Sequence, residues 1–135
     1  MSANLEPGLQ HEVQVEVVPT MLAPCYAAGT PEAYATPALV GLIERTAAEL
    51  VAPYLREGET TVGTQMSLRH LAATPLGLRV RCLAQLTEVD RRRLVFKAEA
   101  WDDVEKIGEA THERFVVNRA SFEQKLADKA RRPRP

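Results

Sequence analysis

Apolar and polar residues alternate strictly near the start of the chain. Residues 12–18 place a valine at every second position, with glutamate or glutamine between the first three. Successive side chains of a strand point to opposite faces, so this period of two predicts a half-buried β-strand that ends at Pro19. Residues 19–35 contain prolines, a glycine and many alanines, and they predict irregular structure.

The next segment carries apolar residues at helical spacing. The pattern runs from Ala38 to Val51, and Pro53 then stops it. Thr36 is the predicted N-cap and Pro37 suits the first helical position. A broad apolar face is formed by Leu39, Val40, Leu42, Ile43, Ala47, Leu50 and Val51. A helix this apolar is expected to pack against a large apolar surface.

From Thr61 onward the pattern returns to period two and predicts four strands joined by short polar connections. These strands lie near residues 61–70, 78–86, 94–100 and 107–117. In the first of them, one face is expected to hold Val62, Thr64, Met66, Leu68 and His70. Strands joined by short turns pair antiparallel, so each is expected to pair with the next. Residues 121–132 return to helical spacing, with Ser121 as the cap.

The order of elements predicts an α+β architecture. One helix cannot cover both faces of a five-stranded antiparallel sheet, so we expect the sheet to wrap around the long helix, with a short helix at the C-terminus. A strand at the uncovered edge of such a sheet is available to pair with another chain. We therefore expect a homodimer.

Composition narrows the functional classes. The 135 residues are 45% hydrophobic and predict a single domain over residues 1–135. A net charge of −1 argues against a dedicated nucleic-acid binder. The longest apolar run, Ala38–Ile43, is too short to span a membrane, so neither nucleic acid nor membrane is an expected partner. Cys25 and Cys82 are isolated and no signal-peptide pattern precedes them, which predicts a cytoplasmic location.

Glu44 is the most unusual residue of the helix. It lies at the border of the apolar face, and the helical neighbours that would supply an ion-pair partner are all uncharged. Such a carboxylate is expected to have a raised pKa, which suits a general base or a nucleophile. Two alternatives stay open, namely that Glu44 reaches solvent or that it pairs with an arginine from a strand.

Each of the remaining candidate residues is weaker evidence for a functional site when it is considered alone. His70 continues the apolar face of a strand, so it is either a core residue or a catalyst. His11 and His112 carry less signal, and no two histidines have metal-ligand spacing, so no metal or other cofactor is expected. The Thr36 hydroxyl lies beside the free N–H groups of the predicted helix N-terminus, where a developing oxyanion would be stabilised.

Five segments of the chain together resemble the fluoroacetyl-CoA thioesterase-like family of the hotdog-fold superfamily, from about Glu12 to Lys125. They are YATPALVGLIE at 34–44, APYL at 52–55, VGT at 62–64, HLAATP at 70–75 and GEATHER at 108–114. The resemblance implies a long helix wrapped by an antiparallel sheet, in agreement with the pattern above. It also implies an acyl-CoA thioesterase that works as a homodimer or a dimer of dimers.

The resemblance further implies an active site. The threonine, glutamate and histidine of the family lie eight and then twenty-six residues apart, which corresponds here to Thr36, Glu44 and His70. Glu44 would be the nucleophile or general base, His70 its acid/base partner, and Thr36 would orient the glutamate or the substrate. Gly63 would contact the acyl carbonyl through its backbone N–H across the dimer interface, and Arg114 would lie near the site.

The chain departs from the family near the acyl pocket. Pro37 stands where the fluoroacetate-handling members have a glycine, and residues 27–33 are small and polar where those members carry phenylalanines. We therefore expect a small acyl-CoA substrate without assigning fluoroacetyl-CoA. Two other interpretations of the sequence stay open. One is a non-catalytic hotdog domain that binds an acyl-CoA or related ligand, and the other is a structural dimer without a ligand.

Overall fold

The computed structural model describes residues 1–135 and confirms the predicted order of elements. Its regular elements are β1 (Gln10–Glu16), α1 (Thr36–Val51), β2 (Glu59–His70), β3 (Arg79–Asp90), β4 (Arg93–Asp102), β5 (Lys106–Asn118) and α2 (Arg119–Ala130). The segment between β1 and α1 is irregular apart from two single 3₁₀ turns. Neither helix is both long and apolar enough to cross a membrane.

The five strands form one antiparallel sheet in the order β1-β3-β4-β5-β2. The expected pairing of β2 with β3 is therefore wrong, because β2 pairs with β5. The connection after β2 crosses the end of the sheet, where the Leu71 N–H donates to the Ile107 carbonyl (2.7 Å) and the Thr74 hydroxyl donates to Asp102 (2.8 Å). As a result, β1 and β2 are the two edges.

The long helix α1 packs against one face of this sheet, mainly on β3 and β1. Its buried residues are Leu39, Leu42, Ile43, Thr46, Ala47, Leu50 and Val51. This set confirms most of the predicted apolar face; Val40 is only half-buried, and Thr46 joins because its hydroxyl donates to the Leu42 carbonyl at 2.7 Å. A Cβ on Gly108 of β5 would lie 3.0 Å from the Leu39 side chain, so a glycine here lets the helix approach the sheet closely.

Both predicted helix caps are wrong. Helix α1 has Ala35 at its N-cap, so Thr36 is the first helical residue and its side chain makes no capping bond. In α2, the side chain of Asn118 accepts a hydrogen bond from the Ser121 backbone N–H at 2.9 Å, so Asn118 is the cap. The hydroxyl of Thr36 is thus free for another partner.

A β-bulge in β2 changes which side chains face the helix. The register with β5 shifts between Gly63 and Gln65, which leaves Thr64 as the extra residue. Gly63 is therefore paired with Arg114, a buried residue of β5, whereas Val62 is paired with the half-buried Phe115. The prediction that Val62 and Thr64 share the face of Met66 and His70 is wrong, because a bulge reverses the alternation on one side of itself.

Candidate active site

Thr36 and His70 form the first group of candidate residues. The first residue of α1 and the last residue of β2 meet here, with Thr36 Oγ1 and His70 Nδ1 2.8 Å apart. The other ring nitrogen, Nε2, is buried and has no hydrogen-bond partner within the chain. Both residues line a cavity of about 290 Å³, together with Tyr34, Leu71, Ala72 and Ala73. An unpartnered polar atom that is buried beside a cavity is available to a bound molecule.

The environment of His70 favours the neutral imidazole. Burial lowers the pKa of His70 below its ordinary value, and the nearby backbone of Ala72 opposes this effect only in part. A neutral imidazole has one donor and one acceptor nitrogen. With Nδ1 bound to Thr36, the buried Nε2 is the ring nitrogen left to bind a ligand.

Glu44 belongs to a second group of residues. Its Oε2 lies 3.3 Å from Nη1 of Arg114, and the glutamate side chain is 46% exposed whereas that of Arg114 is 9% exposed. The alternative of a strand arginine as partner is therefore the arrangement found. The premise that Glu44 lacks a cation is wrong, because β5 supplies one from outside the helix.

Arg114 is held by several acceptors. Its Nε donates to the Thr61 hydroxyl at 2.9 Å and its Nη2 donates to the Thr61 carbonyl at 3.1 Å. Burial lowers the pKa of Arg114, and the carboxylate of Glu44 opposes that shift. A buried guanidinium with this many partners has one preferred orientation, and it presents Nη1 to Glu44.

Gly63 allows this group to assemble. A Cβ at this position would lie only 2.5 Å from Glu44 Oε2 and 3.2 Å from Arg114 Nη1. The carboxylate therefore lies almost against the strand backbone, at the point where the bulge turns Gly63 toward the helix. Glycine at position 63 thus lets Glu44 lie against β2 within one chain, whereas the contact of its backbone N–H with an acyl carbonyl stays a prediction.

His112 also lies in this second group, although the sequence gave it little weight. It is 2% exposed, its Nδ1 is 2.7 Å from the Gln65 carbonyl oxygen, and its Nε2 is 3.2 Å from Arg114 Nη1. The signal that would have found it is its spacing from Arg114. Two residues apart on a strand, these side chains must share a face.

The two groups stay apart within one chain. Thr36 and Glu44 are separated by eight helical residues, or about 12 Å along the axis. His70 and Gly63 are seven residues apart on β2, or about 23 Å. The chain thus brings Thr36 to His70, and Glu44 to Gly63 and Arg114, but it does not bring the two groups together.

The half-buried His70 and the buried His112 predict a loss of stability in mild acid. Burial lowers the pKa of both His70 and His112, so between the folded and the unfolded pKa the unfolded chain binds more protons. The free energy of unfolding is therefore expected to fall as the pH drops below about 6.5, the ordinary pKa of histidine. Urea unfolding at pH 7.5 and at pH 5.5 measures this, and equal stability at both values would contradict it.

Comparison with known proteins places this chain in a family. A family model for fluoroacetyl-CoA-specific thioesterases matches residues 17–120. A fluoroacetyl-CoA thioesterase from Streptantibioticus cattleyicolor is 43% identical over 99 residues, which cover 73% of this chain and 71% of that protein.

Solved structures agree with this match. A mutant of the fluoroacetyl-CoA-specific thioesterase in complex with fluoroacetate and CoA superposes with a TM-score of 0.84 at 36% identity, covering 87% of this chain and 99% of that chain. A thioesterase superfamily member from Thermus thermophilus superposes with a TM-score of 0.89 at 25% identity, covering 95% of each chain. The chain therefore belongs to the fluoroacetyl-CoA-specific thioesterase family, and it is a thioester hydrolase with the hotdog fold.

Proposed function

We propose that this protein hydrolyses a small acyl-CoA thioester at a site that two subunits share. The observation that carries the proposal is the division of the candidate residues into two groups on the same side of the sheet. Thr36 and His70 lie at one end of β2, and Glu44 lies over Gly63 toward the other. Neither group alone combines a base, an acid and a donor for the oxyanion, the functions that thioester hydrolysis uses.

The exposed edge of β2 offers a way to join the groups. Two copies of an edge strand can pair antiparallel about a two-fold axis. If Ser67 lies opposite Ser67 of the partner subunit, then Met66 lies opposite Leu68 of the partner subunit. The extra residue Thr64 then brings Gly63 opposite His70 of the partner subunit, and in both of these last pairs the two residues face the same side of the sheet. Paired strands are about 4.8 Å apart, so Thr36 and His70 of one chain would lie beside Glu44 of the other.

The chemistry follows from the states of these groups. Glu44 would take a proton from a water molecule as that water attacks the thioester carbonyl, and the backbone N–H of Gly63 would stabilise the oxyanion. Thr36, by donating its hydroxyl proton to Nδ1, would fix the proton of the neutral His70 on Nε2. The Nε2–H group would donate a hydrogen bond to the departing CoA sulfur as the carbon–sulfur bond breaks. Glu44 would return the proton that it took from water to the CoA thiolate, which leaves the free acid, CoA and both residues in their starting states.

The comparisons support the substrate class. The related proteins are named as fluoroacetyl-CoA thioesterases, and one of them is solved with fluoroacetate and CoA. Fluoroacetyl-CoA is not assigned as the substrate, because residues 27–33 contain no aromatic side chain where the family resemblance implies phenylalanines.

Mixed dimers test whether the site is shared. Glu44→Ala and His70→Ala are each expected to abolish hydrolysis of an acetyl-CoA or propionyl-CoA panel. Co-refolding equal amounts of the two variants should restore about a quarter of the wild-type rate. Half of the dimers are then mixed, and one of the two sites in each mixed dimer is intact.

The control for this experiment pairs two variants of the same group. Glu44→Ala with Arg114→Ala should show no rate beyond that of the separate variants, since each site of a mixed dimer then carries one of the two changes. A mixture of Glu44→Ala and His70→Ala that also fails to recover would mean that each site draws on a single chain.

A further inference from the structure

The hydrogen bonds around His112 admit only one form of its ring. The Gln65 carbonyl oxygen 2.7 Å from Nδ1 can only accept, so Nδ1 must carry a proton. The Arg114 guanidinium 3.2 Å from Nε2 can only donate, so Nε2 must present its lone pair. Only the neutral tautomer with the proton on Nδ1 satisfies both contacts.

His112 therefore acts on the same nitrogen that faces Glu44. Arg114 Nη1 donates to Glu44 Oε2 at 3.3 Å and is directed to His112 Nε2 at 3.2 Å. The remaining donors of Arg114 that make contacts are bound to Thr61. Thr61 thus fixes one edge of the guanidinium and His112 fixes the nitrogen that meets the carboxylate.

The other neighbours of His112 leave the ring little freedom. The Phe96 ring of β4 lies with its centroid 6.0 Å away, and a Cβ on Gly63 would lie 3.3 Å from His112 Cε1. The charged groups that act on the ring are Arg114, Glu44 and Glu113. Burial and Arg114 both lower the pKa of His112, which agrees with a ring that stays neutral.

We propose that His112 is a positioning residue for the thioesterase reaction, and that its neutral ring holds Arg114, and through it the Glu44 carboxylate, in the orientation that catalysis requires. The inference rests on the proposed function of Glu44. Protonation of the ring would place an N–H group against the guanidinium and remove the acceptor. His112 touches neither substrate nor reacting atoms in this role, and it links the bulge of the edge strand, through the Gln65 carbonyl, to the acidic residue of the site.

Two substitutions separate the two contacts of the ring. The amide of His112→Asn can still donate to Gln65 but is too short to reach Arg114, whereas the longer His112→Gln can offer an oxygen to Arg114. We expect His112→Asn to lower kcat by about 10- to 100-fold while KM changes by less than about threefold, as for a misplaced catalytic group. His112→Gln should recover most of that loss. His11→Asn, at an exposed histidine that binds Glu49 on the far side of the helix, is the matched control and should keep the wild-type kcat.

Equal kcat values for His112→Asn and His112→Gln would overturn the proposal, because a purely structural role would not distinguish them. So would a wild-type kcat in His112→Asn.

A measurement on the wild-type protein keeps the proposal testable if a variant does not fold. Nitrogen-15 NMR of the histidine rings at pH 7.5 should show His112 neutral with its proton on Nδ1, and a proton on Nε2 would overturn the proposal. The Arg114 side-chain N–H groups should also exchange with solvent on the order of tenfold faster in His112→Asn than in wild type or His112→Gln. These signals do not depend on turnover. If the protein hydrolyses no thioester but gives these NMR and exchange signals, the proposed function is refuted and the His112–Arg114–Glu44 linkage is supported. Unchanged exchange of the Arg114 N–H groups in His112→Asn would refute the linkage itself.

Discussion

Glu44→Gln is expected to lower kcat/KM for the best acyl-CoA substrate by at least about a thousandfold, the upper part of the range for loss of a general base. Glutamine keeps the length of the side chain and an oxygen for Arg114 Nη1, which lies 3.3 Å from Oε2 in the wild type. It cannot accept a proton from water at neutral pH and it is not a nucleophile. The contact with the arginine is thus preserved while the chemistry is removed, and steady-state release of free CoA thiol measures the result.

Glu49→Gln is the matched control for this prediction. Glu49 lies on the same helix, and its carboxylate binds Arg45 and His11 at the surface, away from Gly63 and Arg114. The rate of thioester hydrolysis by Glu49→Gln should remain at the wild-type value. A Glu44→Gln rate within about tenfold of wild type would rule out Glu44 as base or nucleophile. No other carboxylate approaches Gly63 so closely, so none is placed to replace Glu44 in the variant.

The sequence was sufficient for the elements of this fold and for most of the buried face of its long helix. Period-two and helical patterns are local, and they identified five strands, the long helix and the short C-terminal helix. The pairing of β2 with β5 was not predictable in the same way, since strand order depends on how the connection after His70 crosses the sheet. The bulge at Thr64 was missed because a single extra residue leaves no mark on composition, although it decides which way Gly63 faces.

The helix caps were mistaken for a related reason. A threonine before a proline at the start of a helix is a good local cap, but the Thr36 hydroxyl instead binds His70, which is 34 residues away. Asn118 was available as a cap for α2 and was overlooked because the polar pattern placed the helix start at Ser121. The Thr36 hydroxyl binds His70 instead of capping α1, and the Asn118 side chain caps α2 in place of Ser121.

The site shows where sequence reasoning is limited. The family resemblance singled out Thr36, Glu44 and His70, and local spacing could not tell that they form two groups in one chain. The pairing of Glu44 with Arg114 joins residues 70 positions apart, so no helical neighbour could reveal it. The alternating pattern marks His112 as an ordinary strand residue, and only its buried contacts with Gln65 and Arg114 link it to the group around Glu44.

Gly63→Ala is expected to lower kcat by about a hundredfold while the free energy of unfolding changes little. The new methyl group would lie 2.5 Å from Glu44 Oε2, so the carboxylate must move away. The Glu44 side chain is flexible and 46% exposed, so its carboxylate can move with little effect on the free energy of unfolding. It cannot do so without leaving the position that Arg114 holds, and a displacement of about 1 Å at a reacting group can cost about two orders of magnitude in rate.

Gly41→Ala separates this effect from the general consequences of replacing a glycine. Gly41 lies within α1, and a Cβ there would meet no atom within 4 Å. Alanine at this helical position should stabilise the protein by about 0.5–1 kcal/mol and leave kcat unchanged. Activity assays and urea unfolding on the two variants therefore give opposite patterns. If Gly63→Ala kept full activity, the close approach of Glu44 to the strand backbone would be dispensable, and the place of Gly63 in the catalytic site would be lost with it.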